Sequence, residues 1–144
     1  GEAAGLSIQA IPAPGKMPVH LETTSQPDPE DNVGLLIGGK LAYFSATGGI
    51  TETMKTMIDA AECVFFDGTF WSSDELIRLG LGTKRAEEMA HIPVLESLSR
   101  IKARRKIYLH INNTNPMLDH TSPERRQAEA AGWEIAHDGM EFSL

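Results

Sequence analysis

Cys63 is the only cysteine in the chain. No internal disulfide can form, and no cysteine-rich zinc site can be built. Set beside Val64 and Phe65, its thiol reads as a small buried hydrophobe rather than a nucleophile. A lone thiol suits a reducing compartment, so cytoplasmic residence is expected. No apolar run is long enough to cross a membrane. The opening Gly1-Glu2-Ala3-Ala4 is acidic and small, unlike a signal peptide. It carries no initiator methionine, which leads us to expect a processed or engineered piece of a longer protein. Cations are outnumbered: 13 Lys and Arg against 20 Asp and Glu give a net charge of −7. That balance argues against a general nucleic-acid binder, which needs cations facing the phosphates. Neither a His-x-His pair nor His-Glu-x-x-His occurs, so no strong metal motif is present. Internal repeats and low-complexity linkers are also missing, and residues 1–144 read as one domain or half-domain.

What is present is the patterning of a globular protein, with 41% hydrophobic and 23% charged residues. Leu6 to Ile11 alternates like a half-buried strand, and Pro12, Pro14, Gly15 and Pro18 are expected to end it. Pro27 to Asn32 reads as a polar connection. Val33–Ile37 and Lys40–Phe44 flank Gly38-Gly39, a hairpin signal. Met54, Met57, Ile58 and Ala61 recur at helical spacing within 51–61. Cys63–Phe66 and Lys106–Leu109 are short apolar runs that read as buried strands. Ser72 and Glu75 suggest a capping box opening a helix through Leu76, Ile77 and Leu79. Further helices are predicted over 83–89, 94–101 and after Ser122-Pro123. Trp133–Ala136 and Met140–Ser143 read as a last strand pair around Asp138-Gly139. A mixed sheet covered by helices follows, of class α/β or α+β.

Each buried strand ends in a potential metal ligand. Asp67 follows the first, in Asp67-Gly68-Thr69-Phe70-Trp71, and His110 follows the second, in His110-Ile111-Asn112-Asn113-Thr114-Asn115-Pro116. A side chain just past a buried strand stands on a rigid base and points into the crevice at the strand ends. One oxygen and one nitrogen ligand presented this way can hold zinc or iron. Asp67 can equally satisfy its own Asp-Gly turn, and His110 can be a hydrogen-bonded strand-end histidine. Asn112, Asn113 and Asn115 either orient a ligand or substrate or build the turn closed by Pro116, and both can hold at once. Thr69 is open in the same way. His91, in a Pro-bounded loop, can be a third ligand, a proton carrier, a substrate contact or none of these. His20, His120 and His137 read as surface residues. Gly48-Gly49 before a helix is a weak anion-site signal that a turn explains as well.

Longer matches of residues carry a family resemblance. Asp67-Gly68-Thr69-Phe70-Trp71, Asp74-Glu75-Leu76-Ile77, Gly80-Leu81-Gly82-Thr83 and Met89-Ala90-His91-Ile92-Pro93 belong to it. So do the His110 heptapeptide, Ser122-Pro123-Glu124-Arg125, Gly132-Trp133-Glu134, Asp138-Gly139-Met140-Glu141 and the early Ala10 to Lys16. Together they resemble the coenzyme PQQ (pyrroloquinoline quinone) synthesis protein B family of the metallo-β-lactamase superfamily. The resemblance implies the C-terminal half of an αββα sandwich. It implies that Asp67 and His110 are ligands to iron (Fe2+) or zinc, that His91 acts toward the substrate or behind the ligands, and that Asn112 and Asn115 support the catalytic loop. The implied activity is iron-dependent, oxygen-using hydroxylation of a tyrosine in a ribosomal precursor peptide during PQQ biosynthesis. The alternatives are a non-catalytic carrier of PQQ or its precursor, in line with an older transport assignment, and an inactive half-domain. Members of the family are longer, and their N-terminal half supplies a cysteine-rich zinc loop and an Asp-His motif that this chain does not carry. A missing N-terminal half or a second copy is therefore an expected partner. Ala90 stands where the family has glycine, and the glycine-rich stretch after His-x-Pro is absent.

Overall fold

The computed structural model describes residues 1–16 and 32–144. Pro18, His20 and the connection expected from Pro27 up to residue 31 lie outside the described residues.

Among the described residues, seven strands form one mixed sheet in chain order: β1 (Glu2–Ala3), β2 (Leu6–Ala13), β3 (Asn32–Ile37), β4 (Leu41–Phe44), β5 (Cys63–Asp67), β6 (Arg105–Leu109) and β7 (Trp133–Ile135). The strands β1 to β4 pair antiparallel, and β4 to β7 pair parallel. Parallel neighbours need long crossovers, and these carry the helices. They are α1 (Glu52–Ala60), α2 (Glu75–Arg78), α3 (Val94–Ser97) and α4 (Pro123–Ala130). The expected mixed sheet with helices is what forms, in the α/β class.

Side chains alternate across the sheet. One face presents Ala42 and Phe44, Val64 and Phe66, Tyr108, Trp133 and Ile135, all buried. They join Met54 and Ile58 of α1, Val94 of α3 and Ala128 of α4 in one core cluster. Tyr108 stacks on Trp133 at 3.7 Å. Phe44 lies over Gly34, where a Cβ would stand 2.1 Å from the ring. The opposite face is barer: Val33 is 60% exposed and Tyr43 36%, and Phe65 is half-buried between Tyr43 and Phe142.

Side-chain caps start the two longer helices. Thr51 accepts from Met54 N–H at 3.1 Å to start α1, and Ser122 accepts from Arg125 N–H at 3.0 Å to start α4, with Pro123 in its first turn. Gly38 and Gly39 take the left-handed backbone of the β3–β4 turn, at φ +59° and +68°.

Several local expectations fail. Pro12 does not end β2, which runs on to Ala13 with Pro12 opposite Val33. Its missing N–H costs little there, because β1 pairs only with Leu6 and Ser7, and among the described residues no other strand pairs along that flank of β2. The segment 83–89 shortens to a 3₁₀ turn at Glu87–Met89, and the helix expected over 94–101 stops at Ser97. Ser72 and Glu75 form no capping box: α2 starts after Asp74, and the Glu75 carboxylate accepts instead from Trp71 N–H and the Thr114 hydroxyl. Met140–Ser143 forms no strand, for β7 pairs parallel with β6 and the chain beyond it turns away so that Phe142 packs on Phe65.

Candidate metal centre

Parallel register decides where the site lies. Asp67, the last residue of β5, pairs with Leu109, the last of β6. The next residue, His110, therefore leaves the sheet beside Asp67, though 43 positions separate them in the chain. His110 adopts φ +60°, a left-handed conformation rare for a non-glycine residue. Such strain persists where surrounding contacts hold it.

Asp67 is fully buried, and four donors surround its carboxylate. Oδ1 accepts from the Thr69 N–H at 3.0 Å and the Thr69 hydroxyl at 2.7 Å. Oδ2 accepts from the Thr47 N–H at 3.1 Å and lies 2.8 Å from His91 Nδ1. Thr47 sits just ahead of Gly48-Gly49, so that glycine pair belongs to a loop that turns a backbone donor toward Asp67. His91 arrives from the segment between α2 and α3. Ala90, immediately before it, is left-handed at φ +63°, and Ile92 N–H donates to Thr47 O at 2.6 Å. The His91 ring stacks on His110 at 5.6 Å and meets the Phe70 ring edge-on at 5.7 Å. Thr69 Oγ1 lies 2.8 Å from His110 Nδ1 and 3.1 Å from His91 Nδ1.

Asp67, His91 and His110 each offer a ligand atom, all within 4.8 Å of one another. Bonds of about 2.0–2.2 Å set the ligands of a tetrahedral ion roughly 3.3–3.6 Å apart. A spread of up to 4.8 Å is somewhat wider than that shell. Two imidazoles and a carboxylate are the donor types that suit zinc or iron, so the residues present fit a metal. Asp67 is buried, His91 half-buried and His110 exposed, which sets the cluster at the surface end of the strands.

The asparagines hold the loop. Asn115, 2% exposed, donates from Nδ2 to Gly68 O at 2.9 Å and Thr69 O at 3.4 Å, while its Oδ1 accepts from Met117 N–H at 2.9 Å. Asn112 N–H donates to Thr69 O at 3.1 Å, and its amide reaches the Thr114 hydroxyl, which donates to Glu75. Asn113 is exposed. The loop after β6 is thus fastened to the loop after β5. His120 and His137 are exposed, as expected. They line a broad pocket that His110 shares. Cys63 is fully buried, and burial pushes its thiol up, which disfavours a thiolate. Nothing local in the sequence marks the Thr47 N–H. Glu75, at capping-box spacing from Ser72, instead ties two loops together.

The fold has a known setting. Residues 2–111 match the model of the beta-lactamase superfamily domain, and the chain belongs to that superfamily. Within it, the chain is 40% identical to coenzyme PQQ synthesis protein B of Methylobacterium radiotolerans, 41% to that of Methylorubrum extorquens and 36% to that of Xanthomonas euvesicatoria. In each case 97% of this chain aligns with 51% of the relative. The chain spans about half the length of the curated relatives it matches. The crystal structure of Zn(2+)-bound PqqB from Methylobacterium extorquens superposes with a TM-score of 0.83 at 39% identity, over 99% of this chain and 52% of that one. A diphosphatase of the PhnP family shares the fold at a TM-score of 0.60 and 18% identity, over 96% of this chain and 43% of that one. The resemblance seen in the motifs stands. Among the described residues no helix is long and apolar enough to cross a membrane.

Proposed function

We propose that this chain supplies part of the metal centre of an enzyme of PQQ biosynthesis. The reaction we favour is iron-dependent hydroxylation of a tyrosine ring in a precursor peptide. One observation carries the reading: Asp67, His91 and His110 converge at the ends of adjacent parallel strands in a chain 40% identical to a PQQ synthesis protein B. Bound iron would supply the oxygen chemistry that no side chain performs on an aromatic ring unaided. His110 offers its imidazole at the exposed mouth. Both oxygens of Asp67 already receive two hydrogen bonds each. A metal held by Asp67 and His110 would compete with the His91 contact at Oδ2 and would leave the His91 imidazole, edge-on to Phe70, to act toward the substrate. Asn112 and Asn115 act by position, keeping the His110 loop on Gly68 and Thr69.

Titration calorimetry of the chain with Zn2+ and Fe2+ tests the centre. Two protein ligands, Asp67 and His110, leave most of the coordination sphere to water or to another chain segment, so weak binding is expected, abolished in His110→Ala. Equal binding by His110→Ala removes the histidine from the site. Tyrosine hydroxylation of a Glu- and Tyr-containing peptide with added Fe2+, lost in the same variant, tests the reaction.

A structural observation favours a complementary reading, that the chain is a half-domain completed by the rest of its fold. Val33, Tyr43 and Phe65 share the barer sheet face, and the relatives run to about twice this length. Apolar sheet surface left open is an association site. Sedimentation velocity is expected to show self-association, and a monodisperse stable monomer would count against it.

A further inference from the structure

We propose that Thr69 is a positioning residue that decides which nitrogen His110 presents to a metal. The inference rests on His110 being a ligand, as argued above, and its test separates the two ideas. The Thr69 hydroxyl has one proton and three neighbours: Asp67 Oδ1 at 2.7 Å, His110 Nδ1 at 2.8 Å and His91 Nδ1 at 3.1 Å. Asp67 Oδ1 also takes the Thr69 N–H, and Oδ2 takes the Thr47 N–H, so this carboxylate acts as an acceptor. Two oxygens 2.7 Å apart repel unless a proton lies between them. The hydroxyl proton therefore goes to Asp67, and the hydroxyl oxygen is left to accept.

His110 Nδ1 must then carry the hydrogen it donates to Thr69, which leaves the lone pair on Nε2. His91 Nδ1 is fixed in the same sense by Asp67 Oδ2 at 2.8 Å. The chain Asp67–Thr69–His110 is a carboxylate–hydroxyl–imidazole relay of hydrogen bonds. It does for His110 what a direct carboxylate does for many metal-binding histidines: it sets the tautomer and the ring angle and raises the basicity of the free nitrogen. The left-handed backbone of His110 puts the ring within reach of the hydroxyl.

The test compares the wild-type chain with Thr69→Val, which keeps the shape and loses the hydroxyl, and Thr69→Ser, which keeps it. Long-range 1H–15N correlation spectra of the histidine rings, recorded without metal at mildly alkaline pH, read the tautomer directly. The expected result is the Nδ1–H form of His110 in wild type and Thr69→Ser, and a shift toward the Nε2–H form in Thr69→Val. Zinc affinity is expected to fall by about tenfold or more in Thr69→Val and to return in Thr69→Ser, the range seen when an outer partner of a ligand is lost. An Nε2–H tautomer in the wild-type chain overturns the inference even if both variants fail to fold. An unchanged tautomer in folded Thr69→Val overturns it as well. Loss of the ligand role alone shows differently: zinc binding indifferent to His110→Ala, with the tautomer still set by Thr69.

Discussion

Removing the Asn115 side chain tests how the loop that carries His110 is held. In Asn115→Ala, Met117 N–H loses its acceptor and Gly68 O loses its donor, while Thr69 O keeps the Asn112 N–H. Two buried backbone groups are left without partners, and each costs about 1–3 kcal/mol. Asn115 also caps the 3₁₀ turn Pro116–Leu118, but that cap is the same bond to Met117 and is not counted again. A total near 3 kcal/mol is expected, a large fraction of a small domain's stability of about 5–15 kcal/mol. Asn115→Asp sharpens the argument, because it keeps an acceptor for Met117 but sets a carboxylate oxygen against two carbonyl oxygens. It should be no better than alanine. Urea unfolding followed by the fluorescence of Trp71 and Trp133 measures both. A loss below about 1 kcal/mol for alanine, or wild-type stability for aspartate, would refute the reasoning.

Three further outcomes follow from single contacts. Gly34→Ala places a Cβ 2.1 Å from the buried Phe44 ring, so a loss toward the upper end of about 1–3 kcal/mol is expected, read by the same urea titration. Ala90→Gly relieves a left-handed backbone at φ +63°. A left-handed residue costs about 1–2 kcal/mol and the greater freedom of an unfolded glycine returns about 0.4–1, so thermal unfolding should shift upward by a net gain of roughly 0.5–1 kcal/mol. The Arg105 hydrogen bonds hold the Glu134 carboxyl below its ordinary 4.5. A lowered folded value stabilises above the unfolded value and is lost as pH falls through the folded one. The stability difference between wild type and Glu134→Gln at neutral pH should therefore begin to shrink as pH falls below 4.5 and vanish once it passes the lower folded value. A difference that persists in acid would assign the effect to packing.

Much of the centre could be read before any fold was known, because its signals are local. A buried strand ending in Asp67 and another ending in His110 are visible as short apolar runs stopped by turn residues. The family resemblance implies a glycine where Ala90 stands, and the position is left-handed at φ +63°, a backbone that alanine adopts at a cost. Local signals misled where a distant partner outbid them. Glu75 sits at capping-box spacing from Ser72, yet its carboxylate is drawn to Trp71 N–H and, across 39 positions, to Thr114. Asp138-Gly139 marks a turn, but β7 finds its partner in β6 and Phe142 finds Phe65, so no hairpin follows.

The sequence by itself determined the kinds of ligand, their rigid footing at strand ends and the loop chemistry after His110, all of which depend on neighbours a few residues away. Only the tertiary structure decided that β5 and β6 lie side by side in the register that sets Asp67 against Leu109. It alone swung His91 in from a third segment and aimed the Thr47 N–H and the Thr69 hydroxyl at one carboxylate. Those pairings are chosen by burial of a shared sheet face and by the need to satisfy a buried charge. Both are sums over residues far apart in the chain, which no local pattern records.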